Sequence, residues 1–323
     1  MTITGLLTVL ALTVVLLLFL RDNDTAILGA MENLSVWGLL LLLCAGFLYQ
    51  LSEAAVCRTM VRTRLPRFSI LKALKVTFLK IFGDVASFGA ISVPLQSYSL
   101  YISGLAPGAG VGLMTLEYVF HKLSILLYAS VMLALQWRWL RQTLPTVTGY
   151  LLPAYLVISL IIMALVLLCT WRKVQQLAVW IIRRLPDTEK WRKRKEKYQT
   201  QLEAVYTESR LLLQNKLCCV KIILINAVKL FILYSTPYLC LQLLGISGLN
   251  FFQTQLLASL MLFLTNVMVN IAGMGPTEFA FLLLFSPYVG ETAAAAALIL
   301  YRISTYYWPI LLSIFPFSTI RRS

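Results

Sequence analysis

Charge is scarce in this sequence: only 13% of its 323 residues are Asp, Glu, Lys or Arg, against about a quarter in soluble globular domains. With a mean hydropathy of +0.81, the shortage excludes water as the main solvent of the fold. Histidine is reduced to His121 alone, which excludes a multi-histidine metal site. A single histidine on a membrane helix is more often a packing residue than a catalyst, so no chemistry is assigned to it. The six cysteines, Cys44, Cys57, Cys169, Cys218, Cys219 and Cys240, lie in or beside apolar stretches. They lack the spacing of a zinc site or a secreted disulfide framework and are read as packing residues. There is no phosphate loop, zinc-protease pattern or nucleophile motif. The chain is therefore expected to be no enzyme and to need no metal or cofactor.

What is present is long apolar runs, notably 34–57, 149–171 and 217–244, each close to the roughly 20 residues a membrane-crossing helix needs. The runs are continuous rather than alternating, which favours helices over a barrel. The expected fold class is an all-α polytopic integral membrane protein with about seven to eight transmembrane helices. Residues 1–20 lack a basic n-region and a small-residue cleavage pattern, and read as a first membrane anchor.

Bases outnumber acids 28 to 13, for a net charge of +15, but they sit in the loops between apolar runs. That placement reads as topology and as contact with anionic lipid, not as a nucleic-acid surface. One basic stretch holds Arg58, Arg62, Arg64, Arg67, Lys72 and Lys75; a second, 172–210, holds Arg183, Arg184 and the run from Lys190 to Lys197 with Trp180, Trp191 and Tyr198 interleaved. The positive-inside rule puts both in the cytoplasm.

Two segments break the pattern. Residues 72–107 carry Gly83, Gly89, Pro94, Gly104 and Pro107 together with Lys80 and Asp84, and 273–290 opens on Gly-Met-Gly-Pro. Such backbone persists at membrane depth only where it is buried in protein or lines a wet cavity, and a broken segment in each half points to the centre of a repeat-built transporter. Gly and Pro are also common in membrane helices at large, so the interruptions alone carry either reading. The first segment is expected to enter and leave on one side; for the second, crossing and re-entry stay open. The expected organisation is one membrane domain, 1–323: a first half 1–171, a basic linker 172–213 and a second half 214–323.

Ionisable residues stand inside apolar stretches: Glu53, Lys80, Asp84, Glu117, Lys221, Lys229, Glu278 and Arg302. Facing lipid at mid-depth, each would cost roughly 2.5–3.5 kcal/mol on insertion scales. They must snorkel, pair or line a polar hollow. Lys80 and Asp84 are four apart and can pair on one helix face, and Lys221 and Lys229 are eight apart and expected on a shared face. Glu278 follows an expected helix start, where free N–H groups favour an anion. Asn266 and Asn270, also four apart, can join helices or touch a ligand.

The stretch Asn270 to Glu278, the Ala-rich residues 292–300, Tyr301-Arg302, Tyr306-Tyr307 and Pro309 resemble the C-terminal signature of the lysylphosphatidylglycerol synthase/flippase transmembrane family. Glu278, Tyr301 and Arg302 fall on that signature, and Glu117 resembles the acidic residue of the first half. Where many members have a Gly-Gly turn and an Arg, this chain offers Pro94, Gln96, Ser97 and Ser99. The chain reads to Ser323 without a soluble aminoacyl-transferase domain, so lysyl transfer is not expected of it. The resemblance implies a lipid flippase in the plasma membrane of a prokaryote, acting on an aminoacyl-phospholipid, glycolipid or polyprenyl-linked lipid. Its expected site residues are Glu278, Arg302, Tyr301, Glu117, Lys80, Asp84, Lys229, Glu53 and Asn270. Rival readings are a noncatalytic subunit whose basic linker recruits a glycosyltransferase or synthase, and an integral membrane lipid-modifying enzyme.

Overall fold

The computed structural model describes residues 34–87, 91–143, 145–184, 189–265 and 275–320. The expected anchor at 1–20, Asn266 and Asn270 lie outside them. Every element among the described residues is helical: α1 Val36–Val61, α2 Ile70–Ser87, α3 Ser92–Ile102, α4 Pro107–Thr143, α5 Pro145–Thr170, α6 Arg172–Arg183, α7 Glu189–Gln214, α8 Lys216–Leu243, α9 Phe251–Thr265, α10 Pro276–Val289 and α11 Glu291–Arg302. A π-helical turn, Ile303–Tyr307, then leads into α12, Trp308–Ile320. The sequence sets the boundaries locally. Ser35 opens α1, its Oγ accepting the Gly38 N–H at 3.0 Å, and so satisfies one of the donors a helix start leaves free. Gly290, at φ 83°, separates α10 from α11 in a conformation side chains rarely adopt.

Five stretches among the described residues are long and apolar enough to cross a membrane: Val36–Val61, Pro107–Thr143, Leu152–Thr170, Lys216–Leu243 and Glu291–Ile314. The expectation was seven to eight. Part of the difference is the anchor, which is not described, and part is α9, expected as a span.

The packing repeats itself. In the first half α1 packs on α2, α2 on α3 and α3 on α4; in the second half α8, α9, α10 and α11 pack in the same order. Contacts between the halves are matched too, since α2 touches α12 while α9 touches α4. The central pair, α1 and α8, runs antiparallel. A Cβ on Gly38 near the start of α1 would meet Leu243 Cδ2 at 2.5 Å, at the end of α8, while Cys218 near the start of α8 lies 3.9 Å from the carbonyl of Thr59 near the end of α1. The two halves are therefore inverted relative to one another, the arrangement that recurs in membrane transporters.

Each broken segment contributes to an antiparallel helix pair, or hairpin, α2 with α3 and α9 with α10, one at each end of the bundle. Gly83 on α2 lies so close to α3 that a Cβ there would meet Ser92 Cα at 2.7 Å. The hairpin returns to its starting end, because α4 begins beside Gly112, against Glu208 and Ala204 of α7, and Glu208 is held by Arg64 just past the end of α1. The second hairpin behaves alike: Gly248, before α9, lies against the carbonyl of Tyr288, near the end of α10. With 14 residues, α10 is about 21 Å long, short of a hydrocarbon core of roughly 30 Å. The question left open for 273–290 resolves as re-entry, with α9 as the other arm.

Small residues allow the closest approaches, as expected where no hydrophobic effect drives helices together. Ala294, Ala296 and Ala297 are fully buried. Gly46 on α1 abuts the backbone of Ser304 in the π turn, whose hydroxyl donates to the Leu42 carbonyl at 2.6 Å. Gly46→Val should force these elements apart and cost about 1–3 kcal/mol, as overpacking generally does. Thermal unfolding in detergent would check this, and an unchanged midpoint would contradict the contact.

Candidate functional site

The described apolar interior is divided. One core cluster gathers Ala54 to Val61 of α1, Leu113 to Val119 of α4 and Ile222 of α8 at the basic end. The other gathers Leu42 of α1, Ile125 to Leu140 of α4 and Leu230 to Leu241 of α8. Where one gives way to the other, each helix turns polar: Gln50 and Glu53 on α1, Glu117 and His121 on α4, Asn226 and Lys229 on α8. Lys229 is 13 residues into the 28-residue α8, near the middle of its length.

Glu53 is the hub of this layer. Lys229 Nζ donates to its Oε2 at 2.5 Å, and Lys80 Nζ, reaching in from α2, donates to its Oε1 at 2.8 Å. The Lys229 side chain is 1% exposed and that of Lys80 31%, so Lys80 is the more open of the two cations. Glu117 is buried and within electrostatic range of Glu53, Lys80 and Lys229. Two acids and two bases from four helices thus converge, Glu53 paired with both lysines and Glu117 beside them.

The pairing expected between Lys80 and Asp84 is replaced. Lys80 is drawn to Glu53, and Asp84, one turn nearer the hairpin tip, takes a hydrogen bond from Ser92. Lys221 does not share the face of Lys229: it is exposed, since eight residues at 3.6 per turn overshoot two turns by about 80°.

A second cluster stands at the start of α10. The Gly275 N–H donates to Glu278 Oε2 at 2.6 Å, and Arg302 Nη2 lies 2.5 Å from Oε1. Glu278 thus caps its own helix and holds the arginine. The guanidinium also lies over the Tyr306 ring at 5.2 Å. Tyr301, beside Arg302 in sequence, turns into the apolar core against Phe281, 5.7 Å between ring centroids. It is joined to the first cluster through Tyr49, which is within electrostatic range of Glu53, Lys80 and Tyr301. The structure therefore brings together Glu53, Lys80, Lys229 and Glu117, and separately Glu278 and Arg302, with tyrosines linking the groups. Asn270 lies outside the described residues.

Sequence reasoning passed over Gln50, Thr77, Asn226 and Tyr234. Thr77 Oγ1, Asn226 Oδ1 and Tyr234 OH are buried without a hydrogen-bond partner, as are Ser97 Oγ, His121 Nδ1 and Oε2 of the expected Glu117. A signal was available, because Gln50, Thr77 and Asn226 each precede Glu53, Lys80 and Lys229 by three residues, one helical turn. Buried polar atoms left unpaired are uncommon and call for water, an ion or a ligand.

At the basic end Arg64 grips Glu208 with two bonds, Nη2 to Oε1 at 2.7 Å and Nε to Oε2 at 3.0 Å. This fork raises the pKa of the arginine above its ordinary value and docks the linker helix α7 on the end of α1. Amphipathic α6 leaves Leu177, Trp180 and Ile181 exposed, with Arg184 over the Trp180 ring at 3.9 Å.

No curated protein matches this chain. A family model described as the lysylphosphatidylglycerol synthase TM region matches residues 3–313, the span that holds both hairpins and both charged clusters, and the chain belongs to that family.

Proposed function

We propose that the chain moves a polar-headgroup lipid from one leaflet to the other, without making or breaking covalent bonds, in the plasma membrane of a prokaryote. The lipid class is an aminoacyl-phospholipid, a glycolipid or a polyprenyl-linked lipid. Family membership supports a lipid-related role in the membrane. The observation that carries the transport reading is the polar layer between two apolar cores, part way along the long helices α1, α4 and α8, with an antiparallel helix pair packed from each end of the bundle.

The barrier to lipid flipping is the headgroup, which loses its water in hydrocarbon. In the proposed path Lys80, Glu53, Glu117 and the unpartnered hydroxyl and amide groups replace that water, while the acyl chains stay among lipids. The inverted halves give the layer equivalent approaches from the two sides. The basic residues of the linker and the exposed apolar face of α6 hold the protein against anionic lipid.

The test is reconstitution into liposomes with fluorescent lipids of several headgroups, the outer leaflet being bleached by a reductant that does not cross. The native chain should make the inner pool accessible, and Lys80→Met and Arg302→Ala should each slow this about tenfold or more, 1.36 kcal/mol per factor of ten. A docking role for the linker is the second reading, favoured by exposed Arg192 and Arg194. It predicts the reverse, with Arg192→Glu plus Arg194→Glu abolishing function and the intramembrane variants tolerated. Conversion of a labelled lipid in detergent, where leaflets do not exist, would identify an enzyme instead.

A further inference from the structure

Among the unpartnered buried atoms of the polar layer, two belong to an acid and an imidazole on α4. Glu117 Oε2 and His121 Nδ1 are buried and neither has a partner. The residues are four apart, one above the other on the same helix face. A carboxylate oxygen can only accept and an imidazole nitrogen can donate or accept, so a proton added to this pair supplies the donor that the carboxylate lacks.

The charges around the pair are known from every helix packed on α4. Glu53 faces it from α1 and Lys229 from α8, with Lys80 of the α2 hairpin also in range and Lys122 on α4 itself. Asp84 lies one turn beyond Lys80. Glu208 of α7 lies against Gly112 and is held by Arg64. The remaining packed helices, α3, α5 and α9, carry no Asp, Glu, Lys, Arg or His. With Glu117 ionised, and with Lys122 set apart over the Tyr118 ring, Glu53 and Glu117 balance Lys80 and Lys229. A proton on the Glu117–His121 pair leaves one positive charge in excess, beside Lys80, the partly open lysine of the Glu53 ion pairs.

We propose that Glu117 and His121 form a proton-binding site, loaded together with the phosphodiester of a singly anionic lipid headgroup at Lys80. Each ligand neutralises what the other leaves, so each tightens the binding of the other; such coupling is reciprocal. The loaded layer is neutral, and proton and headgroup cross as one. The inference rests on the transport reading and names both its cargo class and its energy source, a transmembrane proton gradient.

Proton uptake tests it without transport. Purified protein in weakly buffered detergent with a pH indicator receives dihexanoyl-phosphatidylglycerol, dihexanoyl-phosphatidylcholine or inorganic phosphate. Addition of the anionic lipid should draw about one proton per chain from solution. The zwitterionic lipid should draw none, and Glu117→Gln and His121→Asn should each abolish uptake while eluting like the native chain. No uptake by the native protein, equal uptake with the zwitterionic lipid, or undiminished uptake by the double variant would overturn the proposal. Uptake with inorganic phosphate and not with lipid would overturn the headgroup assignment. In native proteoliposomes an imposed pH gradient should then speed movement of the anionic lipid several-fold. Movement indifferent to the gradient would end the coupling and leave transport standing; uptake in detergent without movement would do the opposite.

Discussion

Glu53→Ala should be the most damaging single substitution in the intramembrane layer. It removes the one carboxylate that serves both Lys80 and Lys229, and Lys229, only 1% exposed, has no route to water from the middle of α8. Removing one partner of a buried ion pair costs about 3–5 kcal/mol, most of it the stranded charge. The expected result is a large fall in the detergent unfolding midpoint together with loss of lipid movement. Adding Lys229→Met removes the stranded charge, and the double variant should recover part of the lost stability. Strict additivity of Glu53→Ala and Lys229→Met, measured as a double-mutant cycle, would mean that the pair is not coupled.

Glu278→Ala is expected to come next, since it cuts two bonds at once: the cap on the Gly275 N–H and the contact to Arg302. Loss of an N-cap costs about 0.5–2 kcal/mol, and loss of the carboxylate from the buried Arg302 ion pair adds up to about 3–5 kcal/mol. Glu278→Gln separates the terms, because its amide oxygen can still cap α10 while the charge is gone. Stability should therefore order as native, Glu278→Gln, Glu278→Ala, with lipid movement lost in both variants. Equal midpoints for the Gln and Ala variants would show that the cap contributes nothing.

The membrane class and the first hairpin were legible in the sequence because both leave local marks: unbroken apolar runs, and Gly and Pro where a helix stops. The charged members of the site were legible for the same reason, each being an outlier in its surroundings. Their partners were not. Glu53 and Lys229 are separated by 176 positions and meet only because α1 and α8 lie antiparallel, a tertiary fact. Local spacing favoured Asp84 for Lys80, but Glu53 already faces a second lysine and attracts Lys80 as well. The α9 arm of the second hairpin was read as a span because its apolar run shows no interruption, and only its packing against α10 reveals the turn back. The role of Gly46 had no mark at all, since what it touches lies in the other half.

Helix α5 has a consequence out of proportion to its packing, for only 17% of its most apolar window is buried. Among the described residues, the repeated units α1–α4 and α8–α12 each hold two of the five long apolar stretches, Val36–Val61 with Pro107–Thr143 and Lys216–Leu243 with Glu291–Ile314, an even number that brings each unit back to the end of the bundle from which it set out. Joined directly, the two units would run in the same sense. The single extra traverse of α5 between them turns the second unit upside down, and only then does Lys229 arrive opposite Glu53.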